Sequence, residues 1–326
     1  MSFKRLDPED FLVSAESIVA PAWSNYSASI STIFTSDIQT NSPSGDYYIN
    51  VYDIDPDGNS SAEIQFAVAY GDSKGSGSFW YNSGVPGLSP TRTVYGQFIN
   101  LLFGEDESAS FNFGGTSTSE NFYAIVLNRA RYKQAILPGS IQISGLVSGI
   151  KITDNSTITP VVEYVSGGRK FTLGSGSFGD GVMPSSATAG VYGYLFPDVG
   201  VIILNPAALN VTTNRGSNTD NNNPANLITA LNNDPFYLQS QETVTSDFVF
   251  CRARNAEFNY SVNPSFSVSA SAGTILYNDF IQNPSTYITS VGMYNDNNEL
   301  LAVAKLSKPL KKDFTKEALI RVKLDF

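Results

Sequence analysis

The residues whose types and spacing come nearest to chemistry lie in "DIDPDGNSSAEI", Asp53 to Ile64. Asp53, Asp55, Asp57 and Asn59, with Gly58 between the last two, follow the start of the calcium loop D-x-[DN]-x-[DN]-G-x5-E. In that loop carboxylates converge on the ion and a final glutamate grips it with both oxygens. The match breaks at the twelfth place, where Ile64 stands and Glu63 has arrived one residue early. The exit also reads as a strand where the calcium loop of an EF-hand needs a helix. A connection between two strands, with Pro56, Gly58 and Asn59 supplying the turn, accounts for the same residues. The stretch is therefore read as a hairpin loop that has the ligands to hold calcium loosely, and no other cofactor is expected.

Other chemistry is limited by what the chain lacks. It contains no histidine. That removes the commonest general base, the Ser-His and Cys-His pairs, and every histidine-containing zinc or iron site. The single cysteine, Cys251, has no partner for an internal disulfide. It lies in "DFVFCRAR", an alternating run that places it as a small residue in a strand. A G-x-G-x-x-G at Gly174, Gly176 and Gly179 has no β-α-β setting and reads as a turn. Carboxylate pairs of the glycosidase kind are not singled out by any local motif. No catalytic residue is assigned, and the chain is read as a non-enzyme.

The elements that must position these residues are strands. Hydrophobic residues make up 41% of the 326 and charged ones 15%, so a sizeable core is available. Short runs rich in Val, Ile, Thr, Tyr and Phe alternate with Gly, Asn, Asp and Pro clusters. In "EIQFAVAYG", Ile64, Phe66, Val68 and Tyr70 share one face, and Glu63, Gln65, Ala67 and Ala69 share the other, which predicts one buried face. Helix is expected only in "DPEDFLVSAES", as a capped turn with Asp7 ahead of Pro8, and in "NPANLITALNN". The fold class is all-β, with antiparallel sheets or β-sandwich domains, long loops and minor short helices. Four regions are expected: an N-terminal docking arm (1–22), a β domain (23–145), a β-rich domain with an exposed Asn-rich loop at 210–226 (146–260), and a C-terminal β segment (261–326).

The formal charge is −10, which disfavours phosphate backbones as partners. Basic residues nonetheless cluster. Arg129, Arg131 and Lys133 alternate in "NRARYK", on one face if the segment is a strand. The C-terminal region carries Lys311, Lys312, Arg321 and Lys323 among others. A basic end on an acidic chain suits docking to an acidic neighbour or a second copy, and lysines also discourage unwanted pairing along a strand edge. The apolar Phe3, Phe11 and Leu12 at one end and Phe326, closing the alternating "ALIRVKLDF" at the other, complete the expected contact residues. No apolar run approaches membrane-spanning length, and the charged N-terminus lacks the core of a signal peptide.

Several segments resemble known proteins. "MSFKRLDPEDFLVSAESIVAPAWS", "IQFAVAYGDSKGSGS", "RTVYGQFINLLFG", "NRARYKQAILPGSIQI" and the C-terminal "TYITSVGMYNDNNELLAVAKLSKPLKKDFTKEALIRVKLDF" are similar to virion structural proteins of T4-like contractile-tailed phages of marine bacteria, particularly cyanophages. The resemblance is weakest between Ile150 and about Asn259. It implies a virion protein made in the host cytoplasm, packed against other virion proteins and copies of itself. The tail or baseplate is the first location it implies, the neck or head the second. It carries no catalytic residues. A receptor-recognition or depolymerase protein of the tail, binding carbohydrate through aromatics such as those of "SFWYNSG", is the alternative that the composition leaves open.

Overall fold

The computed structural model describes residues 4–35, 48–77, 89–104, 110–114, 120–158, 162–177, 191–209, 223–232, 234–260 and 279–325. Phe3, Phe326, the "SFWYNSG" cluster and most of the Asn-rich loop lie outside them. Along the chain a 3-10 turn (Pro8–Asp10) leads into β1 (Phe11–Pro21), β2 (Ser29–Ile30), β3 (Tyr48–Tyr52) and β4 (Ile64–Asp72). Helix α1 (Pro90–Phe103) is followed by β5 (Asn121–Leu127), a second 3-10 turn (Arg129–Arg131), β6 (Ala135–Ile136), β7 (Gln142–Val147) and β8 (Ile150–Asp154). Next come β9 (Glu163–Val165), β10 (Gly168–Ser175), β11 (Gly193–Phe196), β12 (Val201–Leu204), α2 (Asn223–Leu231), β13 (Phe236–Tyr237) and β14 (Gln239–Ala253). A short α3 (Asp279–Gln282), β15 (Ser285–Tyr294), β16 (Leu300–Asp313) and β17 (Ala318–Asp325) complete the described chain. The protein is all-β in class, with its strands in antiparallel sheets.

Two units form. The larger spans Ser17–Glu242, and the smaller joins Met1–Glu16 to Thr243–Phe326. This differs from the four expected regions, and strand pairing gives the reason. The main sheet of the larger unit runs β2-β13-β7-β8-β10-β11-β12-β5-β4-β3, so strands from both sides of residue 146 belong to one sheet. The first residues are not a separate arm either, because β1 lies beside β14, which lies beside β17.

Both faces of the larger unit's sheet are covered, which corrects the one-sided reading of β4. Phe66, Val68 and Tyr70 enter a core with Trp23, Ile125, Ile202 and, from α2, Leu227 and Leu231. Ala69 enters a second core with Phe122, Ala124, Phe196 and Ile203, roofed by Val94, Phe98, Ile99 and Leu102 of α1. Gln65, expected outside, is fully buried. Its amide donates to Ser24 Oγ at 2.7 Å and to the Glu63 carbonyl at 2.8 Å, and its oxygen accepts from the Ser24 amide, so burial leaves its polar atoms satisfied. At the N-terminus only the first turn of the expected helix forms, with Pro8 at its start. From Phe11 the chain is strand, because β1 pairs beside β14.

A polar clamp joins β10 to the turn after β11. The Arg169 guanidinium holds both Asp198 oxygens, with Nη2 2.6 Å from Oδ1, and the Arg169 amide donates to Oδ2 at 2.8 Å. Gly168 sits at φ +97°, and a Cβ there would stand 2.6 Å from the same carboxylate, so glycine is required twice over. Burial pushes the Asp198 carboxyl up, but the hydrogen bonds and charge of Arg169 outweigh it and hold the group below the ordinary range. A carboxyl lowered in the folded state stabilises above its unfolded pKa and loses that contribution as pH falls through the folded value. Asp198→Asn is therefore expected to lower the unfolding free energy near neutral pH by about 1 kcal/mol or less, since the pair is partly exposed. The gap to the wild type should close below pH ~4, read from urea midpoints at stepped pH.

Candidate interaction surface

The Asp53–Asn59 loop joins β3 to β4, and its side chains act as turn caps. Asp53 accepts from Ser24 Oγ and, at 3.2 Å, from the Glu63 amide. Asp55 accepts from the Asp57 amide and Asn59 from the Ser61 amide, each at 3.0 Å. Gly58 takes φ +72°, the left-handed geometry the turn needs. Glu63 pairs with Arg131 at 2.7 Å and so belongs to a different contact. Among the described residues no group of three or more His, Cys, Asp or Glu side chains is arranged to hold a metal ion. The geometry leads us to expect that EDTA leaves the melting temperature unchanged. A shift that Asp55→Ala abolishes would instead assign an ion to this loop.

The three basic residues of "NRARYK" do not share a strand face. β5 ends at Leu127 because the Asn128 side chain accepts from the Ala130 amide at 3.0 Å and starts a 3-10 turn, and Lys133 lies at φ +44°. Each basic group is engaged within the larger unit. Arg129 lies over the Tyr132 ring, Arg131 pairs with Glu63, and Lys133 pairs with Glu242 at 2.6 Å.

At the C-terminal end the expected residues separate into different roles. Lys311 is exposed, as are Arg321 and Lys323, which lie over the Phe248 ring on the neighbouring strand. Lys323 also reaches Asp325 at 3.1 Å and Glu16 at 3.7 Å. Lys312 corrects the expectation of a docking residue. It is fully buried, and its Nζ donates to the Asn255 carbonyl (3.0 Å), Asn259 Oδ1 (2.8 Å) and the Asp313 carbonyl (3.0 Å). Cys251 is half-buried, and burial, with Asp10 nearby, pushes its thiol up and away from thiolate chemistry at neutral pH.

The most conspicuous surface belongs to residues not singled out from the sequence. β15 and β16 form a two-stranded ribbon, paired from Ser285↔Asp313 to Tyr294↔Leu300. Its base is fixed by Lys312 and by Thr286 Oγ1, which donates to the Phe258 carbonyl at 2.6 Å. Its tip is fixed by Asn295, whose Oδ1 accepts from the Asn297 and Glu299 amides, with Asn298 at φ +61°. Between base and tip the ribbon is open on both faces. Val291, Met293, Ala302 and Ala304 are half-exposed on one, and Tyr294, Leu301 (69% exposed) and Val303 (61%) lie on the other. The run "LLAVA" carries this signal, because apolar residues occupy both parities where a half-buried strand would alternate. Phe11 and Leu12, expected as contacts, are also exposed, on β1.

Among the described residues no helix is long and apolar enough to cross a membrane. Comparison with known proteins finds no family model, no curated protein and no solved structure that matches this chain.

Proposed function

We propose that this chain is a non-enzymatic structural component of a tailed-phage virion, working by protein–protein packing in the tail or baseplate. The observation that carries the reading is the β15–β16 ribbon. A two-stranded ribbon is marginal in water on its own, and one with apolar side chains on both faces is stabilised by a covering partner. The smaller unit supplies little cover of its own. Val249, Ala253, Ala318 and Val322 are the buried apolar residues among its described part, while Tyr287, Leu300, Leu301, Val303, Phe314 and Leu319 stand more than half exposed. The resemblance of both ends of the chain to virion proteins of contractile-tailed phages names the setting, and other virion proteins and copies of this chain are the partners it supplies. Mass spectrometry of purified particles should find the chain in stoichiometric amount, and a particle reconstruction should show the ribbon covered. Absence from particles overturns the reading. Binding of host polysaccharide by an isolated chain that is absent from particles would point to carbohydrate recognition in its place.

A further inference from the structure

We propose that the β15–β16 ribbon of one copy docks on the larger unit of a second copy, with Lys305 and Lys308 meeting the loop that holds Asp55 and Asp57. The proposal rests on the assembly reading above and names one partner within it. Charge selects that partner. Strand β16 of the ribbon holds four lysines, of which Lys305, Lys308 and Lys311 are exposed, against Asp313 alone, whereas the larger unit holds nine Lys and Arg against eighteen Asp and Glu. Each copy therefore carries a basic, apolar strand on its ribbon and an acidic body, the two halves of one complementary contact.

The ion pairs within each unit narrow the choice further. The exposed carboxylates of the larger unit's described residues are Asp55, Asp57, Glu63, Glu120 and Glu163. Three of them already have a cation: Glu63 has Arg131, Glu120 has Lys74 and Glu163 has Lys170. Asp55 and Asp57 form no ion pair among the described residues, and exposed Ile54 lies beside them as an apolar contact. Their loop leaves β3, the last strand in the sheet order, so it stands at the sheet's end. On the ribbon side, Lys305 and Lys308 are exposed and have no carboxylate partner among the described residues, and Leu301 and Val303 lie nearby along β16. Lysine and apolar groups on one side thus face aspartate and isoleucine on the other. Because ribbon and loop are different surfaces, the contact is head-to-tail, closing into a ring or continuing as a filament.

The test is sedimentation velocity of the purified full chain over a concentration series at low and high salt. The wild type should self-associate, more weakly in ~0.5 M salt because rim charges are screened. Lys305→Glu/Lys308→Glu and Asp55→Lys/Asp57→Lys should each weaken association at least about tenfold, and an equimolar mixture of the two should recover it. All four positions are exposed, and unchanged circular dichroism and melting would show that the fold is intact. A monomeric wild type, association that either double variant leaves unchanged, or a mixture that fails to recover would overturn the proposal. A chain that is monomeric alone yet stoichiometric in particles removes the second copy as partner and leaves the assembly reading standing.

Discussion

Phe122→Ala is expected to lower the stability of the larger unit by about 4 kcal/mol, within the range for emptying a buried aromatic site. Phe122 is fully buried on β5, under α1. Its ring meets Phe111 at 4.8 Å, Tyr95 at 5.4 Å and Phe98 at 5.7 Å between centroids, so the loss combines apolar transfer, the cavity left behind and edge contacts between rings. β4 is shaped around the same ring. A Cβ on Gly71 would stand 2.6 Å from the Phe122 ring, so glycine at that position lets the side chain lie flat on the neighbouring strand. Removing the ring frees the underside of α1, which is held chiefly by Val94, Phe98, Ile99 and Leu102. Urea unfolding followed by far-UV circular dichroism measures the effect. Phe122→Leu, which keeps most of the volume, should cost about 1–1.5 kcal/mol. A loss below about 1 kcal/mol for the alanine variant would mean that the helix is held elsewhere.

The same helix marks how far the sequence could be read. Strands were legible wherever one face alone is buried. In β17, Val322 is buried and Ile320 and Leu324 half-buried, while Arg321 and Lys323 stand outside, as their alternation requires. Sheet strands buried on both faces were harder, because Ala67 and Ala69 pass equally well for solvent-facing residues and for the small floor beneath a helix. The helix was hidden by its lettering. "PTRTVYGQFINLLF" is rich in β-branched and aromatic residues, yet Val94, Phe98 and Leu102 recur at helical spacing between Pro90 and Gly104. Tertiary cover, supplied by a sheet that buries that stripe, outweighed propensity. Arg129, Arg131 and Lys133 failed as a strand face for a local reason, the Asn128 cap, which the sequence did contain. The ribbon's openness on both faces was present as unalternating "LLAVA", but nothing local distinguishes such a run from a fully buried strand.

Lys312 was beyond sequence reading for the opposite reason, since its surroundings come from far along the chain, and it carries the second large expected effect. Lys311 and Lys312 are chemically identical neighbours, and only strand parity sends the first to solvent and the second inward. The inward side chain meets the turn after β14, where the Asn255 carbonyl and Asn259 Oδ1 accept from it. The end of β14 and that turn together also bind the N-terminal segment. Lys4 Nζ donates to the Arg252 carbonyl at 2.7 Å and pairs with Glu257 at 3.1 Å. Lys312 thus pins the base of the ribbon to the element that holds both ends of the smaller unit. Three N–H donors meet three acceptors, so no donor is left over. In Lys312→Met the stem's volume is kept, but Asn259 Oδ1 loses its donor, while the Asn255 and Asp313 carbonyls lose the charged donor and keep the Asn259 side-chain amide and the Lys316 backbone amide. At about 1–3 kcal/mol for a buried acceptor left unmade, offset in part because a charge is no longer buried, the expected loss is about 2 kcal/mol. Lys311→Met, one residue away and exposed, should change stability by less than about 0.5 kcal/mol. Hydrogen exchange separates this role from a general loss of packing. The β15 and β16 amides should exchange faster in Lys312→Met, while those of β4 and β5 in the larger unit keep their protection. Equal effects of the two methionine variants would show that the buried lysine does not hold the ribbon in place.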